Sequence, residues 1–211
     1  MRFMMIALEK GKRAGKTMSR DILIIQGHPD PAGGHLCHAL ADAYVLGARE
    51  AGHRVEVLDL AQIEIPFLRT QQEFEHGTLP ETLAPARDAM MRAQHYVIIF
   101  PLWLGTMPAL VKAFLEHIIR PGIAFLYQEK AMPRQLLKGR SARIIVTMGM
   151  PAFIYRWVFL AHGVKVLERG ILKFVGISPV RTLYIGGIGA PDKAPIVAWI
   201  NKVRQMGQRG E

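Results

Sequence analysis

Two stretches of this chain combine residue types that suit ligand-binding loops. The run Phe100-Pro101-Leu102-Trp103-Leu104-Gly105-Thr106-Met107-Pro108 leaves the apolar segment Tyr96 to Phe100 and enters a helix opened by Pro108. In an open α/β sheet, the loop at the carboxyl end of a central strand is where ligands bind, with the amides of the next helix facing them. A tryptophan there is costly to leave bare unless something flat covers it. A second loop, Gln26-Gly27-His28-Pro29-Asp30-Pro31-Ala32-Gly33-Gly34-His35, separates the first strand signal from the first helix signal. Two such loops point to a nucleotide or flavin site.

The elements that must position these loops alternate regularly. Ile22 to Gln26 is a near-continuous apolar strand, as expected where both faces are covered. His35 to Ala51 has helical periodicity closed by Gly52, and Arg54 to Leu58 forms the second strand. Asp59 to Leu79 reads as an excursion, suited to a lid or partner surface. Pro80 to Ala93 is the second helix, His95 to Phe100 the third strand, and Pro108 to Ile119 the third helix, stopped by Pro121-Gly122. Ala142 to Thr147 is the fourth strand, ending in Met148-Gly149-Met150-Pro151. Ala152 to Phe174 is largely helical, with breaks near His162-Gly163 and Gly170. Val180 to Ile185 is the fifth strand, and a closing helix capped by Asp192 runs to Met206. Right-handed crossovers then predict a doubly wound α/β sheet of five parallel strands, order 2-1-3-4-5, in a single domain. That order gathers the loops after strands one, three and four.

Composition bounds the rest. The 211 residues, 50% of them hydrophobic, suffice for one substantial core. No apolar run approaches the roughly 20 residues of a membrane span. The lone Cys37 excludes an internal disulfide and fits a reducing compartment, so a cytoplasmic location is expected. About half of the net charge of +10 lies before the first strand, in Arg2, Lys10, Lys12, Arg13, Lys16 and Arg20, opposed there only by Glu9. Residues 1–20 are therefore read as a basic disordered extension, 21–207 as the domain and 208–211 as a tail, and nucleic-acid binding is not expected. Met18 is a candidate natural start, with a real upstream extension as the other reading.

The segment Ile22 to His28, the helix start Met107-Pro108-Ala109-Leu110-Val111-Lys112 after Pro101-Leu102, and Val146-Thr147-Met148-Gly149 followed by Tyr155 and His162 carry a resemblance. They resemble the NAD(P)H quinone oxidoreductases of the flavodoxin-like fold, which include the DT-diaphorase type, the modulator of drug activity B and the potassium-efflux ancillary oxidoreductases. The resemblance implies a homodimeric flavoprotein that takes hydride from NADH or NADPH and passes two electrons to a quinone-like acceptor. By the same resemblance, His28, His35, Leu36 and Cys37 would hold the phosphate end of FMN or FAD. Pro101, Leu102, Trp103, Leu104 and Gly105 would line the isoalloxazine, with inward packing as the other reading of Trp103. Thr147, Met148 and Gly149 would meet the pyrimidine edge. The first loop is longer than the family pattern, and His35, Leu36 and Cys37 replace its usual hydroxyl, aromatic and amide residues.

Tyr155 and His162 are the catalytic candidates. Donors aimed at flavin N1 and its carbonyl would stabilise the charge left by hydride, and either group could protonate a quinone oxygen. Each also has a structural reading: Tyr155 as a helix anchor, His162 as a cap at the break. His28, His35 and His38 lack the ligand set of a metal site, so none is expected. Cys37 reads as an inert thiol, and Gly186-Gly187-Ile188-Gly189 as a turn rather than a dinucleotide fingerprint. A different class of function stands beside the enzyme: a flavin-binding regulatory subunit that docks on a membrane transporter through the excursion.

Overall fold

The computed structural model describes residues 19–189 and 196–211. The basic extension, apart from Ser19 and Arg20, and the cap at Asp192 lie outside the described residues. In chain order the strands are β1 (Asp21–Gln26), β2 (Arg54–Asp59), β3 (His95–Pro101), β4 (Phe125–Gln128), β5 (Ala131–Gln135), β6 (Ser141–Thr147) and β7 (Val180–Ile185). The helices are α1 (Leu36–Glu50), α2 (Gln71–His76), α3 (Ala84–Arg92), α4 (Ala109–Ile118), α5 (Ala152–Trp157), α6 (His162–Lys165) and α7 (Ile196–Arg209).

Five parallel strands form the central sheet in the order β2-β1-β3-β6-β7. The expected order 2-1-3-4-5 is corrected by β4 and β5, which pair with each other as a separate antiparallel hairpin. Neither hairpin strand alternates buried with exposed positions, so no period of two advertises it.

The inner strands are apolar on both faces because both faces are covered. Leu23 and Ile25 of β1, Tyr96, Ile98 and Phe100 of β3, and Ile144 and Val146 of β6 form one core with α3, α4 and the segment after β6. Ile22, Ile24, Val97, Ile99 and Ile145 form the other with α1 and α7. Those two helices touch backbone to backbone. A Cβ on Gly47 would lie 2.0 Å from the Arg204 carbonyl oxygen, and one on Gly207 would lie 2.2 Å from that of Tyr44. Residues 208–211, expected as a tail, instead finish α7 and anchor on the sheet, where Arg181 Nη1 donates to Glu211 Oε2 at 2.8 Å.

The region after β6 also departs from expectation. Its break falls at Leu160 and Ala161, both left-handed at φ 52° and 50°, and Gly170 lies inside a π-helical segment, Val166–Leu172, rather than at a second break. The excursion holds α2, capped by the Thr70 hydroxyl, and is pinned where His117 Nε2 lies 2.7 Å from the Pro66 carbonyl oxygen.

Candidate functional site

The loops after β1, β3 and β6 converge at the carboxyl edge of the sheet. They line an open cleft of about 250 Å³ with His28, His35, Leu36, Cys37, Pro101, Leu102, Trp103, Thr147, Met148, Gly149 and Ile188. Every residue expected at a cofactor site lines it except Leu104 and Gly105, which stand just outside.

The first loop owes its path to Gly27. A Cβ there would meet Val111 Cγ2 at 2.5 Å, so only glycine lets the chain pass over α4, while its N–H donates to Ile99 O at 2.7 Å. Asp30 then turns the chain by accepting from Ala32 N–H, and its other oxygen lies 2.7 Å from His35 Nε2. His28 and His35 stack with centroids 3.8 Å apart, and His38 stands 5.6 Å from His28. His28 is only 9% exposed and accepts the Asp30 N–H at Nδ1, so its neutral tautomer carries the proton at Nε2. Burial, then the neighbouring His35 and His38, depress its pKa, against a smaller pull from Asp30 and Asp59.

This arrangement fits a phosphate. The amides of Leu36 and Cys37 precede the first internal bond of α1, which His38 N–H makes to His35 O, and no side chain caps them. Both ring nitrogens of His38 are buried without a partner among the described residues. Cys37 Sγ lies 3.3 Å from Thr147 Oγ1, and burial pushes the thiol up to about 11, consistent with an inert sulfur.

The third-strand loop is a tight turn. Trp103 and Thr106 exchange both backbone hydrogen bonds, and Leu104 and Gly105 take φ 46° and 79°, the pattern of a type I′ turn. Trp103 does not pack inward: half its surface is exposed, and it meets His28 edge-on at 6.4 Å. Leu104 is fully exposed. The loop after β6 has room above it, since a Cβ on Gly149 would meet only Ile188 O, at 3.7 Å.

Tyr155 and His162 stand outside the cleft lining. Tyr155 is 1% exposed, donates to Gly105 O at 2.9 Å and accepts from Val164 N–H at 3.2 Å. Its hydroxyl ties the third-strand loop to α6. His162 is exposed at the start of α6, where Ala161 occupies the cap position. Beside it, Gly163 lies so close to the turn that a Cβ would sit 2.1 Å from Gly105 O. Ile188 was missed from the sequence. Its loop folds back, Ile188 N–H donating to Met148 O at 3.1 Å, and Gly187 and Gly189 at φ 74° and 89° are the signal of that reversal.

A protein-family model described as the flavodoxin-like fold matches residues 20–206. A protein of Listeria innocua named FMN-dependent NADH:quinone oxidoreductase 2 is 32% identical over 169 residues, covering 72% of this chain and 79% of that protein. Its namesake in Listeria monocytogenes is 29% identical over 204 residues, 87% of this chain and 96% of the relative. Among solved structures, an NAD(P)H:quinone oxidoreductase from Methanothermobacter marburgensis superposes with a TM-score of 0.77 at 24% identity, over 92% of this chain and all 100% of that one, a likeness of fold.

Proposed function

The chain belongs to the flavodoxin-like fold family, and from that premise we propose that it is an FMN-dependent NADH:quinone oxidoreductase. The observation that carries this reading is the convergence of the loops after β1, β3 and β6 on one open cleft beside unsatisfied helix amides. The names of the relatives favour FMN over FAD and NADH as donor, and they lend nothing to a regulatory subunit. FMN, when bound, supplies a ring that accepts hydride from NADH and yields two electrons to a quinone.

The residues divide the work. His28, His35 and the amides of Leu36 and Cys37 hold the phosphate, and backbone amides do so without particular side chains, which explains how the altered loop still serves. Pro101, Leu102, Trp103 and Ile188 exclude water along the ring, while Thr147, Met148 and Gly149 bring main-chain groups to its polar edge. Leu104, Gly105 and Tyr155 set the position of the turn, Tyr155 through Gly105. His162, exposed at the start of α6 next to the third-strand turn, is the candidate proton donor to the acceptor oxygen. One open face admits one flat molecule at a time, so donor and acceptor take turns.

A second copy of the chain completes the mouth. Phe153, Trp157, Val158, Phe159 and Leu160 are exposed together after the β6 loop, and Leu104 adds to them on the neighbouring turn. Contiguous apolar surface of this kind marks an interface. The test is direct: the purified protein shows a flavin spectrum, releases FMN on denaturation, sediments as a dimer and oxidises NADH with a soluble quinone. Protein that takes up no flavin at tens of micromolar overturns the reading.

A further inference from the structure

The opposite edge of the sheet carries chemistry that quinone reduction does not use. β6 reads Ser-Ala-Arg-Ile-Ile-Val-Thr, an apolar strand interrupted by one charge, Arg143. Its partner in register on β7 is Arg181, so two like charges lie side by side on adjacent strands, an arrangement that costs stability. Arg143 is only 8% exposed and its Nε has no partner among the described residues. Arg20 and Arg209 join them around a pocket of about 420 Å³. His95, 3% exposed, forms part of the wall. Its Nδ1 lies 2.8 Å from Ser141 Oγ and its Nε2 is buried without a partner.

One side-chain carboxylate meets three of these four guanidinium groups. Glu211 Oε2 accepts from Arg181 Nη1 at 2.8 Å and lies 3.8 Å from Arg143 Nη2, and Arg209 Nε donates to Oε1. Arg20 Nη1 donates to Gly210 O at 2.9 Å. Each guanidinium offers five N–H groups, so most donors here remain unspent. A free carboxylate on the Glu211 main chain would still leave positive charge in excess.

We propose that this pocket is a second binding site, for a small molecule bearing a phosphoryl group, held by Arg20, Arg143, Arg181 and Arg209 with His95 at its floor. Planar guanidinium forks match phosphate oxygens in pairs, and Glu211 occupies the place of a competing anion. Ser141 and Thr147 stand at opposite ends of β6, about 20 Å apart, so the ligand sits far from the flavin cleft and does not compete with it.

The test uses the FMN-loaded protein, whose cleft is already filled, titrated calorimetrically with inorganic phosphate, pyrophosphate and AMP at matched ionic strength. Saturable binding is expected for at least one. Arg181→Ala and Arg209→Ala, both changes of exposed side chains, should each weaken it by about tenfold, and Glu211→Gln should strengthen it. All three variants should keep FMN and NADH oxidation at wild-type levels. Tighter binding of AMP than of phosphate identifies a nucleotide as the source; the reverse order identifies a smaller phosphorylated ligand. No saturation by any of the three up to about 10 mM, or binding unchanged in the Arg181→Ala, Arg209→Ala double variant, overturns the proposal.

Discussion

The sulfur of Cys37, at the start of α1, lies 3.3 Å from the Thr147 hydroxyl at the end of β6, across 110 positions of chain. The contact ties the first loop of the cleft to the loop after β6. Because burial holds the thiol at about 11, almost none is thiolate near neutral pH. Cys37 should therefore resist a disulfide reagent at pH 8 in the folded protein and react fully in denaturant. Stoichiometric reaction of native protein within seconds would show the sulfur to be open.

The proposed phosphate end should respond to pH. Among the described residues no lysine or arginine lines the cleft, so the imidazoles are its only available cations. His28 starts with a depressed pKa, and a bound dianion must raise it, so binding takes up a proton. FMN affinity should increase as pH falls from 8 towards about 6, below which the phosphate itself protonates. Fluorescence titration of FMN measures this, and His28→Gln should flatten the dependence.

His95 links pH to stability. Burial first, then Arg20 and Arg143, lowers its pKa from 6.5 to about 3. The unfolded chain thus binds the proton more readily, and the stabilisation is complete above 6.5 and lost as pH falls from there towards 3. The full loss is about 5 kcal/mol. Urea midpoints measured between pH 7 and 4 should fall more steeply for wild type than for His95→Gln.

Leu104 combines a left-handed backbone with a fully exposed apolar side chain. Leu104→Gly relieves about 1–2 kcal/mol of backbone strain and adds part of that back as glycine entropy. The variant should gain roughly 1–3 °C in Tm. Sedimentation should show a weaker dimer.

Tyr155→Phe strips the partner from both Gly105 O and Val164 N–H. A loss of about 1–3 kcal/mol is expected, with slower flavin reduction in stopped flow and an unchanged pH profile. His162→Gln should instead keep its Tm and slow quinone reduction while flavin reduction by NADH is unchanged. If the Tyr155 variant shows that selective loss and His162→Gln does not, the two roles are exchanged.

The sheet strands were legible because Ile22–Ile25 and Val97–Phe100 are buried on both faces and read as unbroken apolar runs. The loops at their ends were legible for the same reason, being where those runs stop. The β4–β5 hairpin was not, since Leu126, Tyr127 and Met132 are exposed without alternation. Tyr155 shows a different limit: a residue's position in a motif does not say where its hydroxyl points, and this one points at a backbone carbonyl. Ile188 escaped because its contribution depends on a chain reversal, and glycines mark reversals without saying what they bring near.

The backbone contacts of Gly47 with Arg204 and of Gly207 with Tyr44 also order events in time. During synthesis α1 emerges early, and α7, which packs against it, is made after every other described element of the domain. Until then the face of α1 that α7 covers is bare and this core is incomplete, so the domain cannot mature half by half on the ribosome. Chains truncated before α7 should depend on chaperones and be degraded, however complete their cleft.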